Sequence, residues 1–220
     1  MENVSYLTQP HVHASSHVAN TARSDWKQHI PVLGGEGVRL REIRQSDAPS
    51  LFAMLTSEEV ARFISPPPAT LEGFERFIAW TLLQRTAGAH VCFAVTLPGD
   101  DTAIGIFQVR RLSPNFDIAE WGFAIGSPFW GTGIFADAAA LVLEFVFNAV
   151  GVRRLEARAA VQNGRGNGAL LKIGAVQEGI LRQSFVRNGQ VLDQMLYSIL
   201  EEDWRASRPV SRPISRSWVH

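Results

Sequence analysis

The stretch Pro128-Phe129-Trp130-Gly131-Thr132-Gly133-Ile134-Phe135-Ala136-Asp137-Ala138 constrains this chain more than any other. It follows a strand-like run, Ile118 to Ile125, and leads into a strongly apolar, helix-like run, Ile134 to Val150. A strand, a glycine-rich bend and a helix N-terminus in that order make a site for an anion. Glycine lets the backbone turn and expose its N–H groups. The first helical N–H groups have no partner inside the helix, and the macrodipole favours negative charge there. The expectation is a phosphate-bearing cofactor held by amides near Gly131 and Gly133. The plainer alternative is a tight strand-to-helix connection with no ligand.

Two cofactor classes fit a glycine pair in this place. Spelled G-x-G-x-x-A over Gly131, Gly133 and Ala136, the segment mimics a dinucleotide-binding turn, and Glu156 lies near the offset of that motif's ribose-binding acid. Spelled W-G-x-G from Trp130, it fits a pyrophosphate loop of a different kind. The order of elements separates them. Val38 to Ile43 alternates as a strand, Ser46-Asp47 caps a helix through Leu51 and Leu55, and Pro66-Pro67-Pro68 breaks the chain. Thr70 caps a second helix. Strands then follow at Val91–Thr96, Ala103–Arg110 and Asp117–Ile125, with a turn at residues 98–101. After the apolar helix come a strand at Arg154–Val161, a glycine-rich bend from Asn163 to Gly168, and a short helix, Ala169–Ile173, closed by Gly174. Two last strands, Val176–Val186 and Val191–Leu200, flank Asn188-Gly189, a strong hairpin signal. The order β-α-α-β-β-β-α-β-α-β-β describes a mixed α/β (α+β) sheet, mostly antiparallel. It contains one βαβ crossover rather than the repeated units of a doubly wound dinucleotide fold.

Composition narrows the function classes. At 220 residues with 46% hydrophobic and 19% charged, the chain has material for one sizeable core. Twenty-one basic residues balance 21 acidic ones, so charge gives no pull towards nucleic acid. No apolar run reaches the roughly 18 residues of a membrane span, and no signal pattern opens the chain, so a cytoplasmic setting without membrane contact is expected. The single cysteine, Cys92, sits in an apolar strand and reads as a buried thiol rather than a nucleophile. His11, His13 and His17 have no Cys, Asp or Glu nearby to complete a ligand set, so no metal is expected. Residues 1–24 and 206–220, the latter with repeated Ser-Arg-Pro, read as flexible arms around one domain at 25–205.

Residues from about Val38 to Trp204 resemble the GNAT N-acetyltransferases of the RimJ/RimL type, the ribosomal-protein N-terminal acetyltransferases and their relatives. The resemblance rests on Leu40-Arg41-Glu42-Ile43 with Asp47-Ala48, on Ala119-Glu120-Trp121-Gly122-Phe123-Ala124-Ile125 before Phe129-Trp130-Gly131-Thr132-Gly133, on Asn163 with Leu170 to Gly179, and on Asp193 with Tyr197-Ser198 and Glu202-Asp203-Trp204. It implies the GNAT fold, in which helices flank a sheet whose fourth and fifth strands splay apart around acetyl-CoA. It implies a pyrophosphate loop at Trp130, Gly131, Thr132, Gly133, Ile134 and Phe135, and a pantetheine arm along Phe123, Ala124 and Ile125. Asn163 would stand near the pantetheine and Arg165 near the adenosine phosphate. Glu120 holds the strand position where related enzymes carry a base, and it reads equally well as a structural ion-pair partner. The partner would be an amine acceptor, a peptide N-terminus or a small molecule. Ile64, Pro66, Phe185, Val186 and Arg187 are expected at its site, mixing apolar and basic character. The oligomeric state, monomer or homodimer, stays open.

Four departures bear on mechanism. Phe135 stands where the loop usually ends in a small residue, and its ring must turn away from the phosphates. Gly166 replaces a serine, Ala175 an aromatic residue, and Leu171 the tyrosine that serves as general acid; Tyr197 or water is left for that role. Beside the transferase reading stand a non-catalytic acyl-CoA sensor on the same fold and a dinucleotide-binding oxidoreductase.

Overall fold

The computed structural model describes residues 25–207. The expectations for residues 1–24, including the three histidines, and for 208–220 lie outside the described residues. Eight strands form one sheet: β1 (Leu33–Gly34), β2 (Arg39–Glu42), β3 (His90–Leu97), β4 (Asp100–Arg111), β5 (Ile118–Ile125), β6 (Arg154–Ala160), β7 (Val176–Arg187) and β8 (Gln190–Leu200). Their order across the sheet is β1-β2-β3-β4-β5-β6-β8-β7. Every neighbouring pair is antiparallel except β5 and β6.

The alternation of apolar residues along β3 sorts the core into two layers. Val91, Phe93 and Val95 join a cluster with Ala138, Val142 and Phe145 of the helix α4 (Ile134–Phe145). Cys92 and Ala94 point the other way, into a cluster with α1 (Ala48–Leu55) and α3 (Leu71–Thr86) through Leu51, Phe74 and Ile78. A short helix α2 (Glu58–Ala61), capped by Ser57 on the amide of Val60, connects α1 to the proline loop. The helix α5 (Gly164–Lys172) follows β6, and α6 (Glu201–Ser207) closes the described chain.

Several elements differ from the sequence expectation. The apolar run to Val150 is α-helical only to Phe145 and ends in a π-turn over Val146–Val150, closed by Gly151 at φ 89°. The expected bend at 163–168 is already helix, because the Asn163 side chain accepts the amide of Gly166 at 2.9 Å and caps it. α6 continues to Ser207, two residues into the segment read as an arm. Asp47 does not cap α1 with its side chain. It accepts the Arg44 amide at 2.7 Å and both terminal nitrogens of Arg41 at 2.8 Å.

Arg41 and Asp47 are both buried, and Arg41 also donates to Asp101 at 2.6 Å. The motif Leu40 to Asp47 is thus a buried ion pair that ties β2 to the start of α1 and to β4. Removing one partner of such a pair strands the other charge. Asp47→Ala is expected to cost about 3 kcal/mol, at the low end of the usual range because Asp101 still serves Arg41. Urea denaturation checks this, and an unchanged midpoint would show that the pair contributes nothing net.

Candidate active site

The parallel contact between β5 and β6 is short. It runs through Ile118↔Arg154, Ala119↔Leu155 and Glu120↔Glu156 and then stops. From there β5 stays paired to β4 as far as Ile125↔Gly105, and β6 stays paired to β8 as far as Ala160↔Gln194. Each strand keeps its other neighbour while the two diverge, which opens a wedge in the sheet. These are the splayed strands expected as fourth and fifth; the two-residue β1 shifts their count by one.

A cavity of about 630 Å³ occupies the wedge. Phe123 and Phe135 on its wall pack against the α4 layer, whereas Val60 and Ala124 belong to the α1/α3 layer. The cavity therefore passes through the sheet from one face to the other. Its α4 end is bounded by Trp130, Gly131, Gly133, Asn163 and Arg165, and its far end by Glu59, Arg62, Phe63 and Ile64. Arg62, Arg165 and Lys172 on the lining outnumber the single carboxylate of Glu59.

The loop between β5 and α4 is built to keep its backbone bare. Gly131 and Gly133 have φ of 78° and 93°, which side chains rarely adopt, and a Cβ at either would meet nothing within 4 Å. Gly133 is the N-cap of α4, so the first amides of that helix lie beside open cavity. The loop is fixed from both sides. Thr132 Oγ1 donates to the Phe129 carbonyl at 2.7 Å, and Trp130 Nε1 donates to the Ile125 carbonyl at 2.8 Å. Arg165 reaches across from α5, with its guanidinium 4.3 Å from the centre of the Trp130 ring. Phe135 turns its ring onto the sheet, 4.5 Å from Phe123 and 5.9 Å from Phe107 between centroids. A bulky residue is accommodated at this position because it joins that aromatic layer. Gly166 has a local reason too: a Cβ there would lie 2.5 Å from Asn163 Nδ2, in conflict with the cap.

Of the residues singled out in the sequence, Phe123, Ala124, Ile125, Trp130, Gly131, Gly133, Phe135, Asn163 and Arg165 line the cavity together. Thr132 and Ile134 do not line it; the first braces the loop and the second is buried at the start of α4. Glu120 does not line it either. It sits at the apex of the wedge, in the last pair before the strands part, and its carboxylate is ion-paired with Arg110 of β4. Among the acceptor-loop residues only Ile64 reaches the lining, while Glu59, Arg62 and Phe63 lay unremarked in the sequence. Their signal was the Ser57 cap followed by Glu58 and Glu59, an N-terminal helix signature of the kind that opens α2.

Other titratable groups nearby are occupied or silent. Arg154 bridges Glu156 and Glu178, and its guanidinium, with the Ser198 hydroxyl, holds Glu178 down at about 2. Burial pushes His90 down to about 4, so it is neutral near pH 7. Burial pushes the Cys92 thiol well up, which rules it out as a nucleophile. The Tyr197 hydroxyl is buried, bonds Asn167 at 3.2 Å and is not on the lining; Leu171 faces solvent. Neither side chain offers a proton to the cavity. Among the described residues no group of three or more His, Cys, Asp or Glu is placed to hold a metal, and no helix is long and apolar enough to cross a membrane.

A sheet opened between two parallel strands beside a bare glycine loop is the arrangement that the resemblance to the GNAT acetyltransferases implies. The comparisons agree. Residues 38–176 match the acetyltransferase (GNAT) domain. The uncharacterized N-acetyltransferase YoaA of Bacillus subtilis (strain 168) is 28% identical over 177 residues, covering 78% of this chain and 98% of YoaA. A GCN5-related N-acetyltransferase from Brucella melitensis superposes with a TM-score of 0.68 at 27% identity, covering 80% of this chain and 81% of its own. RimJ of Mycobacterium smegmatis, solved with CoA-disulfide, superposes with a TM-score of 0.69 at 20% identity over 76% of this chain and 83% of its own, a likeness of fold. The chain belongs to the GNAT acetyltransferase family. It is an N-acetyltransferase, and neither the sensor nor the dinucleotide oxidoreductase has support.

Proposed function

We propose that the protein transfers the acetyl group of acetyl-CoA to an unhindered primary amine, by direct attack within a ternary complex. The observation that carries this is the cavity crossing the sheet at the wedge: one end meets the glycine loop and the other meets α2, so a cofactor on one face reaches an acceptor on the other. Acetyl-CoA supplies an activated thioester. The amides of Gly131, Gly133, Ile134 and Phe135 hold the pyrophosphate, with Arg165 and Asn163 beside them. The backbone of Phe123, Ala124 and Ile125 aligns the pantetheine arm, and one of its amides steadies the oxygen of the thioester as charge develops. Glu120 takes a proton from the incoming ammonium, directly or through water. The leaving thiolate needs no protein acid, since a thiol has a reference pKa of about 8.5, and water protonates it.

The α-amine of a peptide is the favoured acceptor within that class. The lip formed by Glu59, Arg62, Phe63 and Ile64 is largely apolar with one charge of each sign, which suits a peptide and gives a polycation no acidic lure. A cytoplasmic setting, where acetyl-CoA and nascent N-termini meet, fits this reading. The test is acetyl-CoA turnover, followed by CoA release, against peptides beginning with Ser, Ala and Met and against small primary amines. Turnover is expected with at least one peptide. Turnover confined to polyamines or aminoglycosides would overturn the acceptor assignment.

A further inference from the structure

Gly122 is a glycine that the fold does not require. It lies in the middle of β5, in register with Gln108 of β4. Its φ is outside the left-handed region, and a Cβ built on it would meet only the Gln108 side chain, 3.8 Å from Nε2, an ordinary contact. The other glycines of this part of the sheet have steric reasons. A Cβ on Gly105 would strike the Ala124 carbonyl oxygen at 2.4 Å, and one on Gly126 would strike Met54 Sδ at 2.8 Å. Glycine within a strand weakens it relative to alanine. Where neither dihedral nor crowding demands it, a strand glycine leaves room for another group to approach the backbone closely.

The surroundings of Gly122 say what approaches. Side chains two apart on a strand share a face, so Glu120, Gly122 and Ala124 form one row, each step about 7 Å. Ala124 lines the cavity, and Glu120 lies beyond its end. On the other side β6 has already left, since its last pair is Glu120↔Glu156. Gly122 therefore lies on one face of β5 between Ala124, on the cavity wall, and Glu120, with no β6 residue paired to it. Gln108 faces Gly122 across the β4–β5 pair with its Nε2 nearest, and its carboxamide also hydrogen-bonds His90.

We propose that Gly122 and Gln108 form the seat of the acceptor amine. The nitrogen rests over Gly122, within one water of Glu120, with the Gln108 side chain packed beside it. The ammonium gives one proton to Glu120. The neutral nitrogen then forms the C–N bond as the C–S bond breaks, CoA leaves as thiolate, and the surplus proton on nitrogen passes to water. With no side chain on Gly122, the nitrogen approaches the strand backbone more closely than it could over alanine. This assignment rests on the acetyltransferase reading, with Glu120 as proton acceptor.

The test uses Gly122→Ala, Gly122→Val and Gln108→Ala in the full chain, with the acceptor panel above. Gly122→Ala is expected to melt at the wild-type temperature or higher, because its Cβ has room, and to bind acetyl-CoA within about twofold by calorimetry. Its kcat/KM for the amine is expected to fall about tenfold, and that of Gly122→Val about 10²-fold, the scale of misplacing a reacting atom by about 1 Å. Gln108→Ala raises the KM for the amine and leaves that for acetyl-CoA unchanged. Folded Gly122→Ala and Gly122→Val proteins with wild-type kcat/KM for every amine, or with a loss confined to acetyl-CoA affinity, overturn the seat and leave the transferase intact. A wild-type chain that binds no acetyl-CoA, or acetylates no amine in the panel, overturns the transferase reading and the seat with it.

Discussion

Replacing Gly133 by glutamate is expected to abolish acetyl-CoA binding in a chain that still folds. The position lines the cavity, and a Cβ there finds nothing within 4 Å, so the new side chain extends into the space assigned to the pyrophosphate. It also places a negative charge where the N-terminus of α4 favours an anionic ligand. Two effects are superimposed, because φ of 93° is strained for any residue with a Cβ. Gly133→Ala separates them: it carries the backbone strain without the charge or the bulk. Calorimetry on both variants, with circular dichroism to confirm folding, is the measurement. Loss in the glutamate variant with much milder weakening in the alanine variant is the expected pattern. A folded Gly133→Glu protein that binds acetyl-CoA as tightly as wild type means that the loop is not the pyrophosphate site.

Glu120→Gln is expected to leave acetyl-CoA affinity unchanged and to lower turnover by about 10²-fold, the lower range for loss of a general base. The loss should be larger near pH 7 than near pH 9. A free α-amine has a reference pKa near 8, so at the higher pH solution already supplies the neutral nucleophile. The ion pair with Arg110 raises the competing idea that Glu120 only braces two strands. That pair is open to solvent on the arginine side, and exposed pairs contribute about 0–1 kcal/mol. A purely structural role therefore predicts a slightly lower melting temperature and nearly normal turnover per folded molecule. Turnover measured from pH 6.5 to 9.5 beside thermal stability distinguishes the two. A flat ratio of variant to wild-type turnover across that range means that another group, or water, takes the proton.

Much of the architecture was legible because its signals are local and strong. Asn188 at φ 49° and Gly189 at φ 74° form the turn that an Asn-Gly pair encodes, and the strands on either side follow. The glycine loop announced itself because two positive-φ residues ahead of an apolar helix have few other uses. The glycines of α5 hid a helix, since composition there argues for a bend, and only the Asn163 cap and burial of Asn167 and Leu170 overrule it. The role of Asp47 was misjudged for a related reason. A cap and a buried counter-ion look alike in one dimension, and only β2 and β4 closing around Arg41 distinguish them. Of the far wall Ile64 was legible, whereas Glu59, Arg62 and Phe63 had only the Ser57 cap to announce them, because a four-residue helix has almost no periodicity to read.

The wedge has a consequence for how such a site tolerates change. Beyond Glu120, β5 and β6 each present an inner edge, with backbone donors and acceptors that a complete ladder would have used on one another. Half of the sheet is, in effect, one strand short, and a slender chain bearing amides is the kind of object that fills such a vacancy. Recognition of that kind is written in strand spacing rather than in side chains. Any sequence that keeps β5 and β6 apart beyond Glu120 keeps the slot, whatever side chains it carries there.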